Sequence, residues 1–376
     1  MSTKRLGLAS CLILALAACG TTSNAPEPNP LPQVADKAGA AVRWNRSIGG
    51  STELRYRPAV SDEAIAVAGA PNQLALLDKA SGQARWTVTL ERPVAGGVGL
   101  NDKLVVVGTL KGDVIAFSRS GQQLWTAKAT SEIIAPPVIG SGVVLVRSGD
   151  GRVSAFSAED GSLKWFYQRQ QPALLLRNFA APLINNGVAY VGLPAGRLVA
   201  LDLQDGRVRW DAPLALPRGA SELERVTDVV TTPVFASGSV CAVAYQGRVG
   251  CIEAASGTLL WTREASSASG LEADGQAVYF TDDKGAVVAL DRSSGRNLWR
   301  QDKLANRALS APALHGNYLL VGDFEGYLHW INRDDGAFVA QRPTDGGRVA
   351  VAPQALSGDT VLVQTTKGGL YAFGVK

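Results

Sequence analysis

Short runs in which apolar and polar residues alternate at a period of two, broken by glycine and by polar turns, fill most of this chain. That period places successive side chains on opposite faces of a strand, so the runs predict β-strands of about five or six residues. Gly151 to Trp165 (GRVSAFSAEDGSLKW) shows the unit plainly: a glycine, alternating small and apolar residues, a polar turn, then a Trp four residues past a second glycine. The same ending recurs at Gly82 and Trp86, Gly121 and Trp125, Gly161 and Trp165, Gly206 and Trp210, Gly257 and Trp261, and Gly295 and Trp299. Successive Trp residues lie roughly 40 to 50 positions apart, the range of arrays whose units each bury a face against a neighbour.

Each unit divides into four strands. In the third, one begins near Pro137-Val138, a second covers Val143 to Arg147, a third Arg152 to Ser157, and a fourth runs through Trp165, with turns at Gly142, Asp150-Gly151 and Asp160-Gly161. Proline marks the first strand in six units, at Pro58, Pro137, Pro182, Pro233, Pro312 and Pro353, and belongs at a strand start because it lacks a ladder donor. The units near Gly97 and Gly270 carry glycine there. The segment Val42 to Ile48 around Trp44 resembles a lone fourth strand, and Gly369 to Phe373 a third strand without a fourth. Joined, they complete a blade. The prediction is an all-β, eight-bladed β-propeller of four-stranded blades over residues 41–376, closed by pairing the N-terminal strand with the C-terminal blade, since an open ring would leave unpaired edges. A Trp at one fixed point per blade is expected to wedge against the next blade with its indole N–H bonded to backbone. The seventh unit departs, with Ala340 four residues after Gly336.

The start of the chain has a different pattern. Lys4 and Arg5 precede an apolar run from Leu6 to Ala18, too short for a span and suited to a signal peptide over residues 1–18. Leu16-Ala17-Ala18-Cys19 resembles the bacterial lipoprotein signal, which implies cleavage before Cys19, acylation of that residue and, with Gly rather than Asp at position 20, an outer-membrane destination. Residues 19–40 carry Pro26, Pro28, Pro30 and Pro32 with few apolar residues, the composition of a flexible tether. The propeller is then expected to hang on the periplasmic side of that membrane.

Composition removes several function classes. Without Lys4 and Arg5, 35 basic residues face 33 acidic ones, too even a balance for a nucleic-acid surface. His315, expected in a turn, and His329, expected in a third strand, share no metal-ligand spacing with one another or with a cysteine. No Gly-x-Ser-x-Gly elbow occurs. Asp202, Asp291 and Asn332 stand where a turn residue bonds local backbone. The sequence therefore offers no catalytic set, no metal site and no cofactor site. Cys241 and Cys251 flank CAVAYQGRVGC, nearly opposite on neighbouring strands; in an oxidising compartment this predicts a disulfide, with two buried free thiols as the other reading.

The repeat, clearest from Leu198 to Asp202 and from Val287 to Asp291, resembles that of pyrroloquinoline-quinone dehydrogenase propellers. Those enzymes carry adjacent bonded cysteines, and none occur here. With the lipoprotein start, the tether and eight blades, the mature chain resembles the BamB family of lipoproteins, which serve the machinery that inserts β-barrel proteins into the outer membrane. The resemblance implies a non-catalytic scaffold that binds the periplasmic POTRA domains of BamA and assists nascent barrel proteins. A quinone-dependent or sugar-binding propeller is the alternative.

Connections from one blade's fourth strand to the next blade's first share a face. The two longest, 17 and 23 residues from Trp to the following proline, are consecutive and contain Pro172 to Arg177 and Glu222 to Asp228. Loops on a rigid scaffold are where binding residues concentrate. Leu174, Leu175 and Leu176 beside Arg177 have the composition of an interface core with a charged rim. By the resemblance, Leu174, Leu176 and Arg177 match a Leu-x-Leu-Arg motif that contacts BamA, and Asp228 matches the first of two acids, the second standing here as Val230. The competing expectation is that Leu174 to Leu176 start a buried inner strand.

Overall fold

The structure, a computed structural model, describes residues 26–53 and 55–375; the signal segment and Cys19 lie outside them. Eight four-stranded antiparallel sheets account for all the strands among the described residues. Blades 1 to 7 occupy residues 59–89, 94–128, 138–167, 183–213, 234–265, 270–301 and 313–343. Blade 8 joins residues 354–374 to the N-terminal strand Ala41–Ser47, which pairs antiparallel with Gly369–Gly374 from Ala41 opposite Gly374 to Ser47 opposite Gly369. The predicted closure is therefore present. Each of the six prolines immediately precedes an innermost strand, so the missing N–H lies just outside the ladder.

Burial follows position in the blade. Second strands such as Ala64–Gly69 and Val143–Arg147 are buried along their whole length because another blade covers each face. Fourth strands, at the rim, alternate: in Leu163–Tyr167 only Trp165 is buried. Eight apolar clusters form the core, most of them spanning two neighbouring blades; blade 8 meets blade 1 through Ile65, Val67, Leu362 and Leu370.

The Trp residues wedge as expected. Trp86 donates its indole N–H to the carbonyl of Arg119 at 2.9 Å, Trp165 to Leu203 at 3.0 Å, Trp210 to Ala254 at 2.9 Å and Trp299 to Arg333 at 2.8 Å, each carbonyl in the next blade. The glycine that precedes each Trp in the repeat has a separate partner, the indole of the preceding blade. A Cβ on Gly206 would stand 2.6 Å from the Trp165 ring, and one on Gly336 2.7 Å from that of Trp299. This arrangement explains Ala340. An indole there would point at blade 8, whose third and fourth strands are the two ends of the chain and have no turn between them. Ala38 and Ala40 pack beside Ala340, Trp330 and Phe373 instead.

The described part of the proline-rich segment lies against the propeller. The Asn29 N–H donates to the carbonyl of Ala305 at 3.0 Å, and its own carbonyl accepts from the buried guanidinium of Arg307 at 3.0 Å. Arg307 is fixed by the buried carboxylate of Asp323 at 2.8 Å and by Glu325. Farther along, the Lys37 N–H bonds to Val339, and Arg342 holds the Ala40 carbonyl and Asp36. Around Asn29 the segment is held through its backbone groups, which is why apolar content gave no sign of the contact there.

Cys241 and Cys251, fully buried and directly paired on neighbouring strands of blade 5, form a disulfide. His315 ends the first strand of blade 7 rather than lying in a turn, and buried His329 in the third strand is bonded to Asp323.

Candidate functional site

The two long connections leave blades 3 and 4 side by side and are bonded to each other. The Leu176 N–H donates to Asp228 Oδ2 at 2.8 Å, Asn178 Nδ2 to the Val229 carbonyl at 3.2 Å and the Ala181 N–H to Thr232 Oγ1 at 3.1 Å. At their base Arg169 and Arg197 both pair with Asp211, the latter at 2.7 Å. The first loop thus borrows its shape from the second.

Residues 172–177 contain no strand. Leu174 is exposed, Leu175 and Leu176 are half-buried over a cavity of about 40 Å³, and Arg177 is exposed. The expectation of a buried inner strand does not hold, because the strand of this blade begins only at Leu183, after Pro182. Leu216 and Leu223, on the second loop, add apolar groups at 64% and 69% exposure, more than any leucine of the first. Arg177 leans over the Phe179 ring, 5.5 Å from its centroid.

Asp228 does not face solvent. It is 2% exposed, and its second oxygen accepts from the Ala195 N–H at 3.1 Å. Buried Arg147 lies nearby and donates to the Gly192 carbonyl at 2.6 Å; burial pushes its pKa down to about 10 against the opposing pull of Asp228. A carboxylate in this position accepts two backbone N–H groups and is balanced by a guanidinium, the condition under which a buried charge is tolerated. Val230 is also buried, at 7% exposure. Asp228 therefore sets the backbone of the leucine loop, and any effect it has on a partner passes through that loop.

On the propeller axis the connections enclose a cavity of about 140 Å³ lined by Arg55, Arg57, Phe179, Thr231 and Glu272. Cofactor and small-ligand pockets usually measure about 300–1,000 Å³. Among the described residues, no three His, Cys, Asp or Glu side chains converge as a metal site would require.

Residues 70–301 match the family described as outer membrane protein assembly factor BamB. A relative of that name from Bordetella pertussis is 41% identical over 95% of this chain and 94% of its own length. The chain belongs to the BamB family. A second BamB, from Burkholderia pseudomallei, is 39% identical, with 96% of this chain and 95% of the relative covered. The crystal structure of BamB from Moraxella catarrhalis superposes with a TM-score of 0.82 at 24% identity, over 89% of this chain and 99% of that one. A quinohemoprotein alcohol dehydrogenase from Comamonas testosteroni superposes at 0.70 with 14% identity, over 91% of this chain and 78% of that one, a likeness of fold alone. BamB membership thus separates the assembly-factor reading from the dehydrogenase reading, which the repeat could not do.

Proposed function

We propose that this BamB-family chain is a non-catalytic scaffold of the outer-membrane β-barrel assembly complex, held to the inner face of the outer membrane through acylated Cys19. Its partner surface is the loop bearing Leu174, Leu175, Leu176 and Arg177, positioned by Asp228, and it binds the periplasmic POTRA domains of BamA. Nascent barrel proteins are assisted through that complex. The observation that carries the reading is the leucine loop itself: an exposed apolar group beside a guanidinium that has no ion pair among the described residues, on backbone that a buried carboxylate holds in place. Such a loop presents an anchor with little ordering cost on binding.

The test is Arg177→Glu, alone and with Leu174→Ala and Leu176→Ala. Each truncated hot-spot residue typically costs about 2 kcal/mol or more, and reversing the charge replaces attraction to a carboxylate with repulsion. BamA binding is expected to fall at least tenfold while the melting temperature stays within a few degrees. A folded triple variant that binds BamA normally places the interface elsewhere.

A further inference from the structure

Most arginines with a described partner sit at the rim, paired with carboxylates or turn carbonyls. Two at the axial mouth and a third beside it differ. Arg55, Arg57 and Arg348, each half-buried, have no ion pair and no side-chain hydrogen bond among the described residues, and the Nε of Arg348 is buried without a partner. Arg55 lies over one side of the Phe179 ring, 4.7 Å from its centroid. Burial lowers the pKa of Arg55, and the charge on Arg348 lowers it further, so the two guanidiniums sense each other. Among the described residues that line the cavity the one acid is Glu272, which shares it with Arg57 beyond ion-pair distance and already accepts the Ala273 N–H at 3.0 Å. Arg55 and Arg57 line the cavity of about 140 Å³ with Glu272, and Arg348 stands close enough to act on Arg55, so positive charge outweighs negative at this site.

We infer that the axial mouth formed by Arg55, Arg57 and Phe179, with Arg348 beside it, receives the carboxylate side chain of an acidic segment on a partner polypeptide. Unpaired guanidiniums beside an aromatic ring suit a planar carboxylate, which can accept two parallel hydrogen bonds. The cavity has room for a side chain and falls short of a cofactor-sized pocket. Its mouth opens on the same face as Leu174, which favours a polypeptide over a free anion. The site stands without the BamA assignment, since none of its three arginines belongs to the leucine loop.

The test uses the full chain in non-ionic detergent with a hexaglutamate peptide, hexaglutamine as the neutral control and inorganic phosphate as the free anion. Hexaglutamate is expected to bind saturably and to weaken with added salt. Arg55→Gln with Arg348→Gln should reduce its affinity at least tenfold, about 1.4 kcal/mol, without lowering the melting temperature. Arg207→Gln with Arg296→Gln, an equal charge change at exposed turns on the other face, should leave binding unchanged. If both pairs weaken binding alike, the attraction is general and the site is refuted. If the axial pair fails to fold, Arg348→Lys, which keeps the charge and loses the planar fork, should still weaken binding, and unchanged affinity overturns the proposal. Phosphate binding as tight as hexaglutamate would overturn the polypeptide assignment. Loss of BamA binding in the leucine variants with hexaglutamate binding intact would keep the two sites distinct.

Discussion

Two glycines in blade 4 separate the cost of a left-handed backbone from the cost of crowding an indole. Gly187 and Gly206 have φ of 76° and 75°, but a Cβ on Gly187 meets nothing within 4 Å, whereas one on Gly206 meets Trp165 at 2.6 Å. A non-glycine residue in this conformation costs roughly 1–2 kcal/mol, partly offset by about 0.4–1 kcal/mol from a stiffer unfolded chain. Gly187→Ala should therefore destabilise by about 1 kcal/mol. Gly206→Ala adds an overpacking term of about 1–3 kcal/mol, because the ring is fixed by its bond to Leu203 and cannot withdraw. With a urea m-value near 3 kcal/mol/M, a gap of about 2 kcal/mol separates the two midpoints by roughly 0.7 M. Equilibrium urea unfolding followed by Trp fluorescence measures that gap. Trp165→Ala in the Gly206→Ala background completes a double-mutant cycle, and the joint loss should fall short of the sum. Coincident midpoints, or strict additivity in the cycle, would refute the wedge as the reason for the glycine.

Removing Val42 to Ile48 deletes the outer strand of blade 8, so unfolding should occur at clearly lower urea and the exposed edge should promote self-association; an unchanged midpoint would sever this segment from the stability of the ring. Cys19→Ser should move the protein from the membrane to the periplasmic fraction, and retention of unacylated chain without BamA would disprove the anchor. Backbone N–H and hydroxyl groups of Ser81, Ser162 and Ser293 hold Asp78, Asp160 and Asp291 down to about 2, below the 3.8 of an unperturbed Asp. Because these folded-state values are depressed, their contribution is complete above about pH 4 and is lost as pH falls toward 2. Melting temperature should drop across that window, less so in the triple Asp→Asn variant, and a level profile would sink the claim.

The blades were legible because their signals are local: turn glycines, a proline before six of the inner strands and a Trp at a fixed offset recur at set places within one unit. Ala340 looked like a defect and became intelligible only when the neighbour lacking a turn was in view. Asp228 lies on the second long loop, yet its inward carboxylate depends on Leu176 and Ala195, 52 and 33 residues away. Nothing in the local sequence distinguishes such a residue from an exposed acid. The axial arginines come from connections near both ends of the chain, and only ring closure brings them together. Backbone bonds hold the segment around Asn29, and these leave no hydrophobic trace.

Pairing the first strand with the last also sets a timetable. Ala41 waits for Gly374, so the ring stays open until the far end of the chain has been delivered to it. A strand left unpaired for so long invites pairing with another chain. Ala41–Ser47 (AVRWNRS) is suited to the delay, since Arg43 and Arg46 interrupt it and only Trp44 is bulky and apolar; even in the finished ring most of its residues remain exposed. The strand that completes the molecule is charged enough to stay in solution until its partner emerges.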